Sequence, residues 1–309
     1  MTVKRIAALI LGGMVALTSI MLVSCDKNDT SDTEKNKSTG FVFTEENYPK
    51  MGGSLANLPL GEAVTATVLG IDREKASNMI VFEGSTTDNY EALVDGRFDI
   101  LLAYEPSVEA LEYAKANNAE YEMTAIGADA LVFICSTNNP IDSLTTEQVK
   151  SIYKGQTTNW SEVGGKDLPI IPYQRNKDSG SQTLFDKLVN LGDELMEAPV
   201  EYKVGSMIGL LEAVADYEDS DGALGYTVYY YLTNMEKEKL SRSKILNIDG
   251  VVPSNESIGK GEYPFVNDFY VVIRKDAPEN SPERILYNWI TSDQGLELVR
   301  RENYPVKLK

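Results

Sequence analysis

The chain has 309 residues, with 29 lysines and arginines against 47 aspartates and glutamates, and it contains no histidine. A formal net charge of −18 argues against a nucleic-acid partner, because binding to the phosphate backbone relies on clustered basic residues. Without histidine, a Ser-His-Asp triad cannot form, and the usual zinc sites lack a common ligand. Composition therefore points away from nucleic-acid binding, triad hydrolysis and zinc.

Residues 1–24 have the pattern of a bacterial lipoprotein signal peptide. Lys4 and Arg5 precede an uncharged run at 6–23, and Cys25 stands where cleavage and lipidation would occur. A membrane-spanning anchor is the alternative, but glycine and hydroxyl residues dilute the run. We therefore predict a lipid anchor on the extracytoplasmic face of the cell membrane. Cleavage removes two basic residues, so the net charge falls from −18 to −20.

The segment after the cysteine predicts a flexible tether. Residues 26–40 are charged or small and polar, and none is large and apolar. We place the tether at 25–40, with a reach of roughly 20 Å. The rest of the chain is longer than one ordinary domain and suits two lobes.

Strand and helix patterns alternate through the remaining chain, which predicts an α/β fold. In the first part, helical spacing at 60–69 and 89–94 accompanies short apolar runs at 80–82 and 98–103, which predict buried strands. The segment 129–136, which is apolar throughout 130–135, predicts a strand that crosses from the first lobe to the second.

The second lobe begins with a helix after Thr145, a typical N-cap residue. Helical spacing recurs at 184–189. An apolar run at 269–273 predicts the strand of the return crossing, and amphipathic helices at 282–289 and 292–301 would complete the first lobe. The predicted boundaries are a signal peptide at 1–24, a tether at 25–40, the first part of lobe 1 at 41–130, lobe 2 at 131–235, and the return to lobe 1 with its C-terminal helices at 236–309.

Three segments place glycine and serine directly before a helical pattern. The first N–H groups of a helix have no partner within it and carry the positive end of its dipole, so such a start can hold an anion. Arg175 precedes the third segment. Each segment alone is equally an ordinary helix cap. Together they predict an anion site in a cleft between the lobes. The segments are Gly52, Gly53, Ser54 and Leu55; Gly84, Ser85, Thr86 and Thr87; and Ser179, Gly180 and Ser181.

The second lobe also carries longer motifs. They are the run 144–155, residues 158–160, residues 163–165, Arg175, and the turn 179–181. Together they resemble the second lobe of the phosphate-binding proteins that serve ABC importers, a family of type 2 periplasmic binding proteins. Residues 222–226 resemble the strand with which that family's chain starts back to the first lobe. The resemblance covers most of 45–300 and implies a two-lobed α/β fold, each lobe a mixed sheet flanked by helices, with the ligand cleft between them.

The resemblance implies a monomer that captures inorganic phosphate and delivers it to the permease subunits of an ABC importer, without a reaction or a cofactor. Glu105 stands where the family commonly has an aspartate that accepts a proton from the ligand. Phosphate carries such a proton near neutral pH and sulfate does not, so this carboxylate would repel sulfate. The implied ligand contacts are Ser54, Leu55, Ser85, Glu105, Arg175, Ser179, Gly180 and Ser181.

Four positions depart from the family's pattern. Leu55 stands where threonine is common, Tyr104 is bulkier than the usual small residue, and Glu105 is one methylene longer than aspartate. Ser181 replaces a threonine and keeps the hydroxyl. These departures leave two alternatives open: a binding protein for another oxyanion, and a ligand sensor without a permease.

Two further sequence patterns match functional motifs only in part. Ser151 and Lys154 match the Ser-x-x-Lys of penicillin-recognising enzymes, but the Ser-Asp-Asn and Lys-Thr-Gly partners are absent. The acidic stretch 216–221 lacks the spacing of a calcium-binding EF-hand. We therefore predict no enzyme activity and no metal site, and a surface adhesin is the simplest remaining alternative.

Overall fold

The computed structural model describes residues 41–81, 84–216 and 220–307. The predicted signal peptide, the lipidation site at Cys25 and the whole predicted tether lie outside these residues. Among the described helices, none has the length and apolar character needed to cross a membrane.

Short strands and helices alternate along the described chain. The strands are β1 Met51–Gly53, β2 Ile100–Ala103, β3 Tyr121–Ser136, β4 Ser143–Leu144, β5 Ile171–Pro172, β6 Gln174–Arg175, β7 Lys203–Val204, β8 Ala223–Val228, β9 Ser243–Ile245, β10 Asn247–Ile248 and β11 Val266–Arg274. The helices are α1 Leu58–Leu69, α2 Arg73–Ser77, α3 Thr86–Val94, α4 Val108–Ala116, α5 Thr146–Tyr153, α6 Gly180–Val189, α7 Met207–Ala215, α8 Lys237–Leu240, α9 Asn255–Gly259, α10 Pro282–Ile290 and α11 Asp293–Arg301. Short turns of 3-10 helix connect several of them, including one at Leu55–Asn57.

The largest sheet has seven strands in the order β1-β2-β11-β3-β8-β5, and β9 pairs with residues 134–136 of β3 on the edge opposite β8. β1 is parallel to β2, and β5 is parallel to β8. β11 is antiparallel to both β2 and β3, and β8 is antiparallel to β3. The sheet is therefore mixed, as the sequence predicts.

The long strand β3 connects the two parts of this sheet. Residues 121–130 pair with β11, whereas 131–135 pair with β8, so the strand changes partner after Ala130. We call the part with β1, β2 and β11 the first half-sheet, and the part with β5, β8 and β9 the second. Every residue of β3 from Ile126 to Ser136 is buried, which explains why its sequence is a continuous apolar run rather than an alternating one.

Most predicted elements are present, with three corrections. The strand expected at 80–82 is wrong in its described part, because Ile80 makes only an isolated bridge with Met51 and Val81 is exposed. β9 pairs with residues 134–136 of β3, so the chain stays with the second half-sheet beyond the predicted boundary at 235. The strand predicted at 269–273 is part of β11, which pairs within the first half-sheet and does not cross.

Helix starts follow the sequence closely because their caps are local. Thr145 caps α5 by accepting a hydrogen bond from the N–H of Gln148, whose side chain accepts from the N–H of Thr145 in return. Ser281 and Ser292 cap α10 and α11 in the same way through their hydroxyls. A serine or threonine oxygen satisfies an N–H that the helix itself cannot, so these residues define where each helix begins.

An aromatic cluster fills the core of the second half. Phe133 on β3, Tyr153 on α5, Phe185 on α6 and Tyr226 on β8 are fully buried, and their ring centroids lie 4.6–6.5 Å apart. Edge-on and stacked rings at such separations stabilise a core beyond their buried area. The cluster fixes α6 against β3 and β8.

Gly53, at the end of β1, is required by a close backbone approach. A β-carbon at this position would lie 2.0 Å from the carbonyl oxygen of Leu102, and the residue has a φ of +153°. We predict that Gly53→Ala lowers the free energy of unfolding by about 2 kcal/mol or more, because the two strands would have to separate. Urea unfolding checks this against Gly205→Ala, where a β-carbon meets nothing within 4 Å. Equal stabilities of the two variants would contradict the prediction.

Candidate functional site

A cavity of about 360 Å³ lies between residues of the two half-sheets. Seven of the eight ligand contacts expected from the sequence line it; the exception is Glu105. The seven are Ser54, Leu55, Ser85, Arg175, Ser179, Gly180 and Ser181. Their part in ligand binding stays a prediction, whereas their convergence on one cavity is a feature of the fold.

On the first half-sheet, the cavity begins where β1 ends. Ser54 is 2% exposed, and its hydroxyl oxygen accepts a hydrogen bond from the N–H of Tyr104 (3.2 Å). The same hydroxyl lies 3.2 Å from the hydroxyl of Thr86. The 3-10 turn Leu55–Asn57 follows directly, so its first N–H groups start at the cavity.

Ser85 and Thr86 form the second contribution of this half. Ser85 caps α3, accepting from the N–H of Asp88 at 3.2 Å, and the Asp88 carboxylate accepts from the N–H of Ser85 at 2.6 Å. The backbone N–H of Ser85 therefore already has a partner within the protein. Thr86, the first residue of the helix, also lines the cavity; it belongs to the predicted segment but was not among the predicted ligand contacts.

The second half-sheet contributes the start of α6. Ser179 caps this helix by accepting from the N–H of Gln182 at 3.1 Å. A β-carbon on Gly180 would lie 2.5 Å from the hydroxyl oxygen of Thr86. Glycine is therefore required here because the starts of α3 and α6 touch across the cavity.

Arg175 supplies the cavity's buried positive charge. Its guanidinium donates from Nε to the carbonyl of Val204 (2.9 Å), from Nη1 to the hydroxyl of Ser181 (3.1 Å) and from Nη2 to the carbonyl of Gly205 (3.3 Å). The residue is 8% exposed, and burial lowers the pKa of the guanidinium. Among the residues that the structure describes, no carboxylate forms an ion pair with it, and two of its five N–H groups have no protein partner.

The aromatic core positions this arginine. The backbone N–H of Arg175 donates to the hydroxyl of Tyr226 at 3.0 Å, and that hydroxyl in turn donates to the side-chain oxygen of Gln182. Tyr226 stacks on Phe185 of α6, with centroids 4.6 Å apart. The arginine and the helix start beside it are thus held by one buried residue.

A further helix start at the cavity was not predicted. Ser206 caps α7 by accepting from the N–H of Gly209 at 3.1 Å, and Gly205, Ser206 and Met207 all line the cavity. The pair Gly205 and Ser206 before an apolar helical run is the same signal as in the three predicted segments. Four helical starts therefore meet at one cavity, two from each half.

The role expected for Glu105 needs correction. Its carboxylate accepts from the ammonium of Lys187 at 2.6 Å and from the hydroxyl of Tyr270 at 2.9 Å, and it lines a neighbouring groove instead of the cavity. Lys187 also donates to the side chain of Asn267 on β11. The sequence could not show this, because both partners lie far from Glu105 along the chain.

The side-chain hydroxyl of Tyr104 contacts a buried carboxylate, that of Asp129. The hydroxyl of Tyr104 donates to Asp129 at 2.7 Å, and the N–H groups of Ala130 and Tyr230 donate to the same carboxylate at 2.8 and 3.1 Å. Asp129 is fully buried, and this burial raises its pKa to about 6 despite the hydrogen bonds. It lies on β3 beside the point where that strand changes partner.

The residues of the Ser-x-x-Lys match, and Asp216 of the acidic stretch 216–221, pair with other side chains of the protein. The hydroxyl of Ser151 lies 2.8 Å from that of Thr157, and Lys154 pairs with Glu194. Asp216 pairs with Lys239 and Arg242. Across the part of the chain that the structure describes, no group of three or more metal-ligating side chains comes together.

Comparison with known proteins agrees with this geometry. The sequence matches the PBP superfamily domain over residues 59–294, well over half of the chain. The chain belongs to the PBP superfamily. Its mixed α/β architecture is that of type 2 periplasmic binding proteins in this superfamily.

Two individual proteins also resemble the chain in sequence. Protein SphX of Synechococcus elongatus is 25% identical over 253 residues, which cover 79% of this chain and 73% of that protein. The phosphate-binding protein PstS of Bacillus subtilis is 30% identical over 138 residues. That match covers 44% of this chain and 42% of PstS, so it spans less than half of either protein.

Two solved structures share the fold. One is a substrate-binding protein assigned to a phosphate ABC transporter of Clostridium perfringens, with phosphate bound; it has a TM-score of 0.65 and 22% identity, and covers 85% of this chain and 100% of its own. The other is an ABC-type phosphate transport receptor of Vibrio cholerae, with a TM-score of 0.61, 21% identity, and coverage of 83% and 98%. At these identities the likeness establishes the fold and not the ligand.

The burial of Asp129 makes stability depend on pH in a defined direction. A carboxyl group whose pKa is raised on folding contributes stability below its unfolded pKa, and this contribution is lost as the pH rises through about 6. Asparagine does not ionise, so the Asp129→Asn variant does not lose this stability as the pH rises. We therefore expect the variant to gain roughly 2 kcal/mol over the wild type between about pH 4.5 and about pH 7.5.

Urea unfolding at the two pH values measures this difference. Asp193→Asn, at an exposed carboxylate, is the matched control and should track the wild type at both. A difference between Asp129→Asn and the wild type that does not change with pH would contradict the prediction.

Proposed function

We propose that this protein captures inorganic phosphate in the cavity and delivers it to the permease of an ABC importer, without catalysing a reaction. The observation that carries the proposal is Arg175, a buried guanidinium whose partners among the described residues are all neutral. A buried charge is costly unless it is paired, so an anion from solution is the favoured counter-charge.

The helix starts add to this attraction. α3, α6 and α7 each direct the positive end of a dipole to the cavity, and serine or threonine hydroxyls stand at each start. Such dipoles and buried donors act over a few ångströms, whereas the acidic surface is screened beyond about 8–10 Å. A net charge of −18 for the full chain is therefore compatible with an anion ligand.

The names of relatives favour phosphate among the oxyanions. PstS of Bacillus subtilis is a phosphate-binding protein, and the Clostridium perfringens structure contains phosphate. Glu105, paired with Lys187, no longer supports discrimination against sulfate, which favours another oxyanion as the second candidate. A sensor without a permease would use the same cavity.

Contacts across the cavity suggest how binding is coupled to delivery. Lys187 of α6 pairs with Glu105, and the hydroxyl of Thr87 donates to the carbonyl of Asp178 at 3.4 Å. These contacts join the two halves around the cavity. An anion held by both halves would favour this closed arrangement, and separation of the halves at a permease would release it.

Arg175→Ala tests the anion site. We expect phosphate affinity to fall on the order of 100-fold, because hydrogen bonds to charged groups contribute roughly 1.5–3 kcal/mol each. Arg175→Lys keeps the positive charge but loses the planar guanidinium with its several N–H donors, so its phosphate affinity should be intermediate. Isothermal titration calorimetry with phosphate and sulfate measures both.

Arg274→Ala is the control, since this arginine is partly exposed at the end of β11 and pairs with Asp276. Its phosphate affinity should equal that of the wild type. Absence of heat with phosphate at millimolar concentration would overturn the proposal, and unchanged affinity in Arg175→Ala would remove that residue from the site.

The proposed lipid anchor at Cys25 has its own test. Cys25→Ser should abolish lipidation and move the protein from the membrane fraction to the soluble fraction, because the thiol is the acceptor of the lipid. Metabolic labelling with a fatty acid and fractionation of the expressing bacterium measure this. A labelled, membrane-bound Cys25→Ser protein would rule out anchoring at this residue.

A further inference from the structure

Apolar side chains share the cavity with the polar groups. Leu55, Ala56 and Tyr104 reach it from the first half, and Met207 and Val228 reach it from the second. Leu55 and Met207 are partly buried and pack on the main hydrophobic core. Inorganic phosphate is polar on every side and has no apolar group that could pack against these side chains.

The cavity is also larger than inorganic phosphate requires. Its volume is about 360 Å³. A phosphorus atom with its four oxygens fills a minor part of that space. The volume is present while Gly180 and Thr86 are in close approach and Lys187 pairs with Glu105, so it is not the result of separated halves.

The third observation concerns the carboxylates that could accept a hydrogen bond from the ligand in the cavity. Of the described carboxylates, Asp88 and Asp178 line it, and both are exposed. Asp88 already accepts the N–H of Ser85. The described lining thus holds no buried carboxylate for the P–OH proton of hydrogen phosphate. A dianion in which an organic group replaces that hydroxyl has no such proton.

We infer that the cavity takes monosubstituted phosphate dianions, in which a small alkyl group lies against Leu55 and Met207 while the three oxygens face Arg175 and the helix starts. This inference rests on the proposed anion site and extends its ligand class. Alkylphosphonates and phosphate monoesters share the required chemistry.

A chain-length series tests the inference. Methyl-, ethyl- and propylphosphonate are titrated against the full protein by calorimetry, at an alkaline pH where each is a dianion, with inorganic phosphate alongside. We expect all three to bind, with affinity rising about fourfold for each methylene buried. Methyl phosphate, compared with ethylphosphonate of the same length, distinguishes the monoester source from the phosphonate source.

Two variants locate the alkyl group. Met207→Ala and Leu55→Ala should each reduce the gain in affinity from methyl- to propylphosphonate, expressed relative to phosphate in the same variant. Val200→Ala, at a side chain that is 85% exposed and outside the cavity, should leave the series unchanged.

The failures of the two proposals are distinguishable. If phosphate binds but methylphosphonate does not displace it, or if affinity falls along the series, the inference is overturned and phosphate capture stands. If phosphate and all the phosphonates fail to bind, the proposed function fails together with the inference. A series that rises equally in Met207→Ala, Leu55→Ala and the wild type would contradict the placement of the alkyl group.

Discussion

The cavity depends on one interaction pattern, a buried guanidinium held by neutral groups. Arg175 has two backbone carbonyls and one hydroxyl as partners among the described residues, and its own N–H is fixed by Tyr226. Neutral partners satisfy the geometry of the guanidinium without cancelling its charge. Burial then strengthens the attraction for an anion, because little water remains to screen it.

The shared sheet explains how this arginine meets helix starts from the other half. β3 is long enough to pair with β11 in one part and with β8 in the other, so both halves are built on one strand. The loop after β1 lines the cavity together with the loop after β6, a strand that pairs with β7 in a separate two-stranded sheet, and Gly180 allows α6 to approach Thr86 closely. Asp129 lies beside the change of partner and connects it to Tyr104 at the cavity. The geometry of the site is thus a consequence of the sheet.

Features that depend on neighbouring residues could be predicted from the sequence. The helix beginning after Thr145 and the caps at Ser85 and Ser179 follow from local hydrogen bonds, and the continuous apolar run at 130–135 reflects burial of β3 on both faces. The family motifs around Arg175 also lie within one short stretch. Each of these signals needs only a few adjacent residues to be recognised.

Features that depend on distant partners could not be predicted in this way. Glu105 is a plausible proton acceptor until Lys187 and Tyr270, 82 and 165 positions away, are placed beside it. The apolar run at 80–82 has strand composition, yet Ile80 finds only an isolated bridge. Which helix starts share a cavity is likewise a property of the folded chain, and for this reason the helix start at Ser206 was not predicted.

The central claim is that Arg175 and the converging helix starts hold one oxyanion. Anomalous X-ray diffraction from crystals grown with arsenate, a phosphate analogue whose arsenic can be located directly, tests it most directly. The account predicts one arsenic peak in the cavity, with arsenate oxygens in hydrogen-bond contact with Arg175 and with the hydroxyls of Ser54 and Ser179. An ordered arsenate elsewhere, with none in contact with Arg175, would contradict it.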